Sequence, residues 1–371
     1  MSVTNINSRF EDISGRDILS LLLAIFIGIL IVDLTRQLWT GGIEVSILAD
    51  YLWNGIVESM YIALAAVGLS MTYSILRFAN FSHGDLVTTG AFSGWTVAYI
   101  IGGIGVADIG SRLLLDADGG APSGTLGMEL FASPLAIILG LVGAILITIG
   151  VALAIDRLVY KQLRGAGGIT LLIASVGVAF VLRYVIALIY TQDSRGIVAS
   201  APQRDITVPG VSWTIESVNF HEVTLVVVGF LLIVGVHFLL QYTKLGKAMR
   251  AMADNRKLAQ ITGIPTERII TATWVIGAGL AGAAGYLIVL DQTQISINFG
   301  WFLLLLIFAA VILGGIGSIY GALLGAFIIG LTLNLSLIWI PADLNEITAF
   351  TLMIIVLILK PDGLLGGVKT A

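Results

Sequence analysis

The sequence contains no cysteine among its 371 residues. That absence excludes a disulfide framework, a thiolate metal site and a cysteine nucleophile, and it leaves the compartment open. Histidine is nearly as scarce: His83, His221 and His237 stand too far apart for a short metal motif, and none belongs to an H-E-x-x-H pair. Charge is thin as well, with 11% Asp, Glu, Lys and Arg and a net charge of -4, so no general basic surface exists for nucleic acid. There is also no G-x-x-x-x-G-K-[ST] loop, since Gly246-Lys247 lacks the upstream glycine. Any nucleotide-driven step would need its motor from another subunit.

What the chain has instead is apolar length. It is 57% hydrophobic with a mean hydropathy of +1.01, too oily for a soluble domain of this size, and it reads as an all-α polytopic membrane protein forming one transmembrane domain over 1–371. Runs near the 20 residues needed to cross the hydrocarbon fall at roughly 18–38, 52–76, 84–106, 130–156, 168–190, 222–242, 269–290, 300–314, 319–340 and 346–359. The eighth and tenth are short, so the count is ten with nine or eight as alternatives. The opening MSVTNINSRFEDISGRD carries acids beside its arginines and no small-residue cleavage signature follows it, which predicts a retained first helix.

Basic residues test the count. Alternating ten spans from an inside N-terminus puts Arg9, Arg16, Arg77, Arg157, Lys161, Arg164, Lys244, Lys247, Arg250, Arg256, Lys257, Arg268, Lys360 and Lys369 on the cytoplasmic side. Arg36, Arg112, Arg195 and Arg204 fall outside and Arg183 lies within a span. This bias predicts that both termini are cytoplasmic. The long turn-rich loops 107–129 and 191–222 are then external, either as a docking rim for a carrier protein or as an acidic solvated surface with a short hairpin.

Glycine is abundant, at 44 residues. Gly277, Ala281 and Gly285 are spaced four apart, as are Gly321 and Gly325; small residues at that interval share a helix face and let backbones approach closely. The basic segment 243–268, TKLGKAMRAMADNRKLAQITGIPTER, predicts a short helix capped by Asp254 and ended by Gly263 and Pro265, with a second helix running from there into the next span. Leu258, Ile261 and Ile264 form its apolar contacts and Arg256 and Lys257 its rim. Docking into a groove on a partner and lying on the bilayer surface both fit.

Several motifs in order carry a family resemblance: GLSMTYSILRFANFSHGDLVTTGAF at 68–92, TKLGKAMRAMADNRKLAQITGIPTERI at 243–269, AGLAGAAGYL at 278–287, FAAVILGGIGSIYGALLGAFIIG at 308–330 and LILKPDGLLG at 357–366. The chain resembles the inner-membrane permease subunit of branched-chain amino acid ABC importers, in the branch whose companion permease is related but distinct. The resemblance implies a multi-pass protein of a prokaryotic cytoplasmic membrane that pairs with a homologous permease, two cytoplasmic ATP-binding subunits and an extracytoplasmic substrate-binding protein. It implies no cofactor on this chain, ATP and Mg belonging to the partners, and leucine, isoleucine and valine as cargo, with urea, short amides or other amino acids as alternatives. It also favours an ATPase-coupling role for the segment 243–268. The loop 107–129 looks longer than is usual in the family. An ion-coupled secondary transporter is the competing class, resting on Glu58.

Six polar residues are candidates for the pathway or its gate. Asn80, Ser82, His83 and Asp85 belong to FANFSHGD, which the span assignment places at the cytoplasmic end of the second span. Asn80 and Ser82 suit caps, Gly84 a tight turn, and Asp85 the first turn of the next helix. A structured turn near the inner gate is the first reading; a polar lining for the exit route and a proton relay through His83 remain. Glu58 and Arg183 lie deeper, where charge is costly. They either pair with each other, snorkel, or meet a zwitterionic substrate.

Overall fold

The computed structural model describes residues 15–103, 133–192, 194–196, 203–207, 214–292 and 295–366. Ten apolar helices occupy the ten predicted intervals: α1 (Gly15–Thr40), α2 (Val45–Leu76), α3 (Ser82–Gly103), α4 (Pro134–Ile155), α5 (Gly168–Tyr190), α6 (Phe220–Tyr242), α9 (Thr266–Asp291), α10 (Phe299–Gly314), α11 (Ile319–Leu335) and α12 (Asn345–Leu359). Eight of these, three of them with flanking turns, are long and apolar enough to cross a membrane; among the described residues the exceptions are α3 and α10. Two short helices, α7 (Lys244–Asp254) and α8 (Arg256–Ile261), join α6 to α9. Within the loop 191–222 the strands β1 (Gln203–Thr207) and β2 (Thr214–Asn219) pair antiparallel, which is the short hairpin the sequence allowed. The loop 107–129 lies outside the described residues.

The centre of the bundle is built from α2, α3, α9 and α11. A Cβ on Gly285 would fall onto the backbone of Val87 and Ala91, and one on Gly90 onto the backbone of Gly282, so α3 and α9 touch main chain to main chain. The same holds for Gly325 against Ala310, where α11 meets α10. Lipid gives helices no hydrophobic reason to associate, so such close approach supplies the dispersion contacts that replace it. The four-residue glycine spacing thus has its packing role.

The basic segment differs from expectation in its cap. Asp254 is the last residue of α7, and Asn255 is the N-cap of α8: its backbone is extended at φ -151°, and its Oδ1 accepts from the Leu258 N–H at 3.0 Å. The break between two helices, unforeseen in the sequence, moves the cap by one residue. At the other end Gly263 takes φ +86°, and the Gly263 and Ile264 N–H groups donate to the Gln260 and Ala259 carbonyls at 3.1 and 3.0 Å. That is a left-handed glycine cap of the Schellman kind. The next helix starts after Pro265, as predicted.

Candidate functional site

The run FANFSHGD opens with a backbone exception. Arg77, which ends α2, takes φ +60°, a left-handed conformation that costs a non-glycine residue about 1–2 kcal/mol. Two bonds hold it there: its N–H donates to the Tyr73 carbonyl at 2.8 Å, and its guanidinium donates to the carbonyl of Ala253 in α7. Beyond it the chain does not surface. Phe78, Asn80, Ser82, His83 and Asp85 are all buried, the last two at 1% and 0% exposure.

Depth follows from packing. Gly90 packs on Gly282 and Gly94 on Tyr286, so α3 and α9 run in the same direction with an offset of 192 residues (282 - 90 and 286 - 94). Ser82 is therefore level with Trp274, eight residues beyond the first residue of α9, or about 12 Å at 1.5 Å per residue. Tyr160 confirms the level, since its hydroxyl lies 2.8 Å from Ser82 Oγ and its ring stacks on Trp274 at 5.3 Å and 4°. The expected turn at the end of the second span is thus a helix break packed within the bundle and buried by protein. Irregular backbone at such depth has to be satisfied by protein groups. Asn80 Oδ1 accepts from the Ser82 N–H and Oγ at 3.2 and 2.7 Å, and the Phe81 N–H donates to Ser175 Oγ at 3.0 Å. His83 Nε2 lies 2.9 Å from the Ala65 carbonyl. Gly84 makes no turn; it lies within α3, where a Cβ would strike the Gly300 carbonyl of α10.

One turn into α3, Asp85 meets Arg183 of α5. Nε and Nη2 of Arg183 donate to Oδ1 and Oδ2 of Asp85, both at 3.1 Å, a two-point pair that fixes orientation as well as charge. The guanidinium carbon lies 4.8 Å from the ring centre of Trp301 and 5.5 Å from that of Phe180. Trp301 belongs to the first turn of α10, whose 16 residues span about 24 Å, less than the hydrocarbon thickness. The first turns of α3 and α10 therefore meet at Gly84 and Gly300, beside a buried ion pair.

Glu58 is elsewhere. It accepts nothing from Arg183 and instead accepts from Asn334 Nδ2 of α11 at 2.6 Å, with Tyr61 also bonded to it. Of the three alternatives for Glu58 and Arg183, mutual pairing is excluded by helix neighbours: α2 packs Glu58 against α11, whereas α5 packs against α3. The structure brings Asn80, Ser82, His83, Asp85 and Arg183 together and leaves Glu58 ten residues along α2 from Gly68, where α2 crosses α9.

The basic segment forms a second, exposed group. Asp254, Arg256, Lys257 and Gly263 are exposed, Ile264 is half-buried, and Leu258 and Ile261 stand open at 58% and 82%. Ala259 is buried and anchors α8 on the bundle. Nearby, Arg164 donates to Asp156 at 2.6 Å and to Glu267 at the start of α9. Partial burial opposes the Arg164 charge, but the two carboxylates more than offset it and raise its pKa above the usual value.

Sequence reasoning missed Trp301, Phe180, Tyr160, Trp274, Asn255 and Asn334. The shortness of the run 300–314 was the available signal for Trp301, because a half-length apolar helix has to begin within the bundle. Among the described residues, no group of three His, Asp or Glu side chains is placed to hold a metal ion.

Residues 51–357 match the family model described as branched-chain amino acid transport system / permease component. The chain is 30% identical over 316 residues to the high-affinity branched-chain amino acid transport system permease protein LivH of Escherichia coli K12, covering 85% of this chain and 94% of that one. It is 28% identical to BraD, the corresponding permease protein of Pseudomonas aeruginosa, over 85% of this chain and 94% of that one. The probable branched-chain amino acid transport permease protein LivH of Methanocaldococcus jannaschii is 28% identical over 85% of this chain and 91% of its own. No solved structure matches. A polytopic helical bundle matched over nearly its whole apolar length places the chain in the branched-chain amino acid transport permease family, as a multi-pass membrane subunit of a transport system.

Proposed function

We propose that the chain is the membrane-spanning subunit of an ATP-driven importer for leucine, isoleucine and valine in a prokaryotic cytoplasmic membrane. Its partners are a homologous permease subunit, two cytoplasmic ATP-binding subunits that carry ATP and Mg, and an extracytoplasmic substrate-binding protein. The basic end faces the cytosol, consistent with the lysine and arginine bias. The observation that carries the reading is α8: two bare apolar side chains, Leu258 and Ile261, on a helix capped at both ends by Asn255 and Gly263. That is a rigid knob suited to a groove on a motor subunit.

The knob has a path inward. Ala253, two residues before the Asn255 cap, accepts from Arg77, and Arg77 begins the buried break that leads to Asp85. A push on α8 from closing ATP-binding subunits would reach the break through that contact, reorient α3 against α10, and open the bundle first outward and then inward. Asn80, Ser82, His83 and Asp85 then belong to the inner gate, and no proton transfer is required of His83. The external loop 191–222 is the docking side for the binding protein.

Uptake into proteoliposomes containing the chain, its companion permease, the ATP-binding subunits and the binding protein tests this, with leucine, valine and urea supplied with and without ATP. Leucine and valine accumulate only with ATP. Leu258→Asp and Ile261→Asp cut uptake about tenfold or more while ATP hydrolysis continues, because a charge buried in an apolar groove is strongly disfavoured. Full uptake by both variants in assembled complexes would defeat the coupling role, and ATP-independent counterflow would point to a secondary transporter.

A further inference from the structure

Asp85 and Arg183 are matched in two points, enclosed, and placed where two broken helices meet. We infer that this pair is the cargo-recognition site: an incoming amino acid exchanges with it, presenting its carboxylate to the Arg183 fork and its ammonium to Asp85. The inference rests on the amino acid reading above and adds to it the atoms that would recognise the substrate.

Packing does not call for the pair. Well-packed apolar residues commonly replace a buried ion pair at no loss of stability, whereas an unpaired charge at membrane depth is costly. A zwitterion resolves that conflict. It brings one charge of each sign on a single carbon, so each protein charge changes partner and no charge is left bare. Arg183 matches a carboxylate through parallel N–H donors, as it now matches Asp85 at 3.1 Å twice. Asp85, with both oxygens engaged by Arg183, is the complementary acceptor for an ammonium.

The surroundings suit a branched aliphatic side chain. Trp301 and Phe180 cover the guanidinium faces, and Phe81 lies 6.5 Å from Trp301 and 5.1 Å from Phe308, ring centre to ring centre. The pair lies closest to the protein surface along α5 and α10. Asp85 is sealed, but Arg183 is 8% exposed beside Phe180 at 45%, and Tyr184 and Phe302 are each 63% exposed. In this proposal a small molecule reaches the pair from the face of α5 and α10 that carries these side chains. The pair can also be opened mechanically, because Asp85 sits eight residues beyond Arg77, the residue held by α7.

The test is equilibrium binding to the assembled membrane complex in nanodiscs, without binding protein, using radiolabelled leucine, 4-methylpentanoate (no ammonium) and 3-methylbutylamine (no carboxylate). Co-purification of the ATP-binding subunits selects assembled variants. Wild type prefers leucine to either analogue by about tenfold or more, since a site built for a polar group rejects a ligand lacking it. Asp85→Asn shifts the balance of the two analogues about tenfold towards 4-methylpentanoate, and Arg183→Gln shifts it as far towards 3-methylbutylamine. A purely structural pair would weaken all three ligands by one common factor, and that result overturns the inference. Should neither variant assemble, Arg183→Lys keeps the charge and loses the fork. It weakens leucine and 4-methylpentanoate about fivefold or more and leaves 3-methylbutylamine unchanged, and equal weakening of all three again overturns the inference. A wild-type complex that binds leucine with no shift in these variants sinks this inference alone; one that binds no amino acid sinks the proposed function with it.

Discussion

α1 and α2 are neighbouring apolar helices of comparable length, and they share almost no physics. The most apolar stretch of α2 is 89% buried within the chain, whereas that of α1 is not buried at all. The more oily helix is the exposed one: α1 reads LLLAIFIGILIV, while the buried part of α2 reads ALAAVGLSMTYS. A soluble domain would reverse this. Where the solvent is hydrocarbon, large aliphatics suit the surface, and small or hydroxylated residues gather where backbones touch. α9, with GAGLAGAAG, behaves as α2 does. The comparison implies that the packed centre tolerates no added volume and that α1 tolerates nearly any.

The largest expected effect breaks the centre. Gly285→Leu inserts a side chain where even a Cβ falls onto the Val87 and Ala91 backbone. Main chain cannot move aside as a flexible side chain would, so the loss should exceed the ~1–3 kcal/mol usual for overpacking. Size-exclusion chromatography of the detergent-solubilised protein after stepwise heating should find no monodisperse peak for this variant. A normal melting profile would mean that α3 and α9 are not in contact.

That contact was half legible. The spacing of Gly277, Ala281 and Gly285 announces a packed face, because small residues four apart lie together on any helix. It did not name the partner, since spacing along one helix is silent about which helix lies opposite. The same limit explains Glu58: its depth was readable from hydropathy, but its bond to Asn334, 276 residues away, was not. FANFSHGD was read as a turn, and a turn it is. Its burial is not legible because span edges follow apolarity, whereas the polar atoms of this run are satisfied within the run by Asn80 and from other helices by Tyr160 and Ser175. The basic segment was the most legible region, as caps and glycine stops are local chemistry, and even there Asn255 displaced Asp254 as the cap.

A middle-sized effect probes how α1 is held. Asp33 accepts from Trp339 Nε1 at 2.9 Å and from Gln37 Nε2 at 2.6 Å, tying α1 to the segment between α11 and α12. Asp33→Ala removes a charge-assisted bond whose contribution is small, because Asp33 is partly exposed and water competes for it. The bundle should still fold and melt as before, while the link 41–44 between α1 and α2 becomes several-fold more sensitive to protease. Unchanged proteolysis would mean that α1 is held by something other than this bond.

The smallest effect sharpens the contrast most. A Cβ on Gly28 of α1 would meet nothing within 4 Å, so Gly28→Leu adds the same side chain to the same secondary structure as Gly285→Leu, in the opposite surroundings. Helix propensity favours leucine over glycine by several tenths of a kcal/mol, and hydrocarbon accepts the added methyl groups. Melting should therefore stay within about 0.5 kcal/mol of wild type or rise slightly. If Gly28→Leu instead disrupted assembly of the complete transporter while the isolated chain stayed stable, the bare face of α1 would be a subunit contact. The difference between α1 and α2 would then lie in which neighbour covers each helix and not in whether one does.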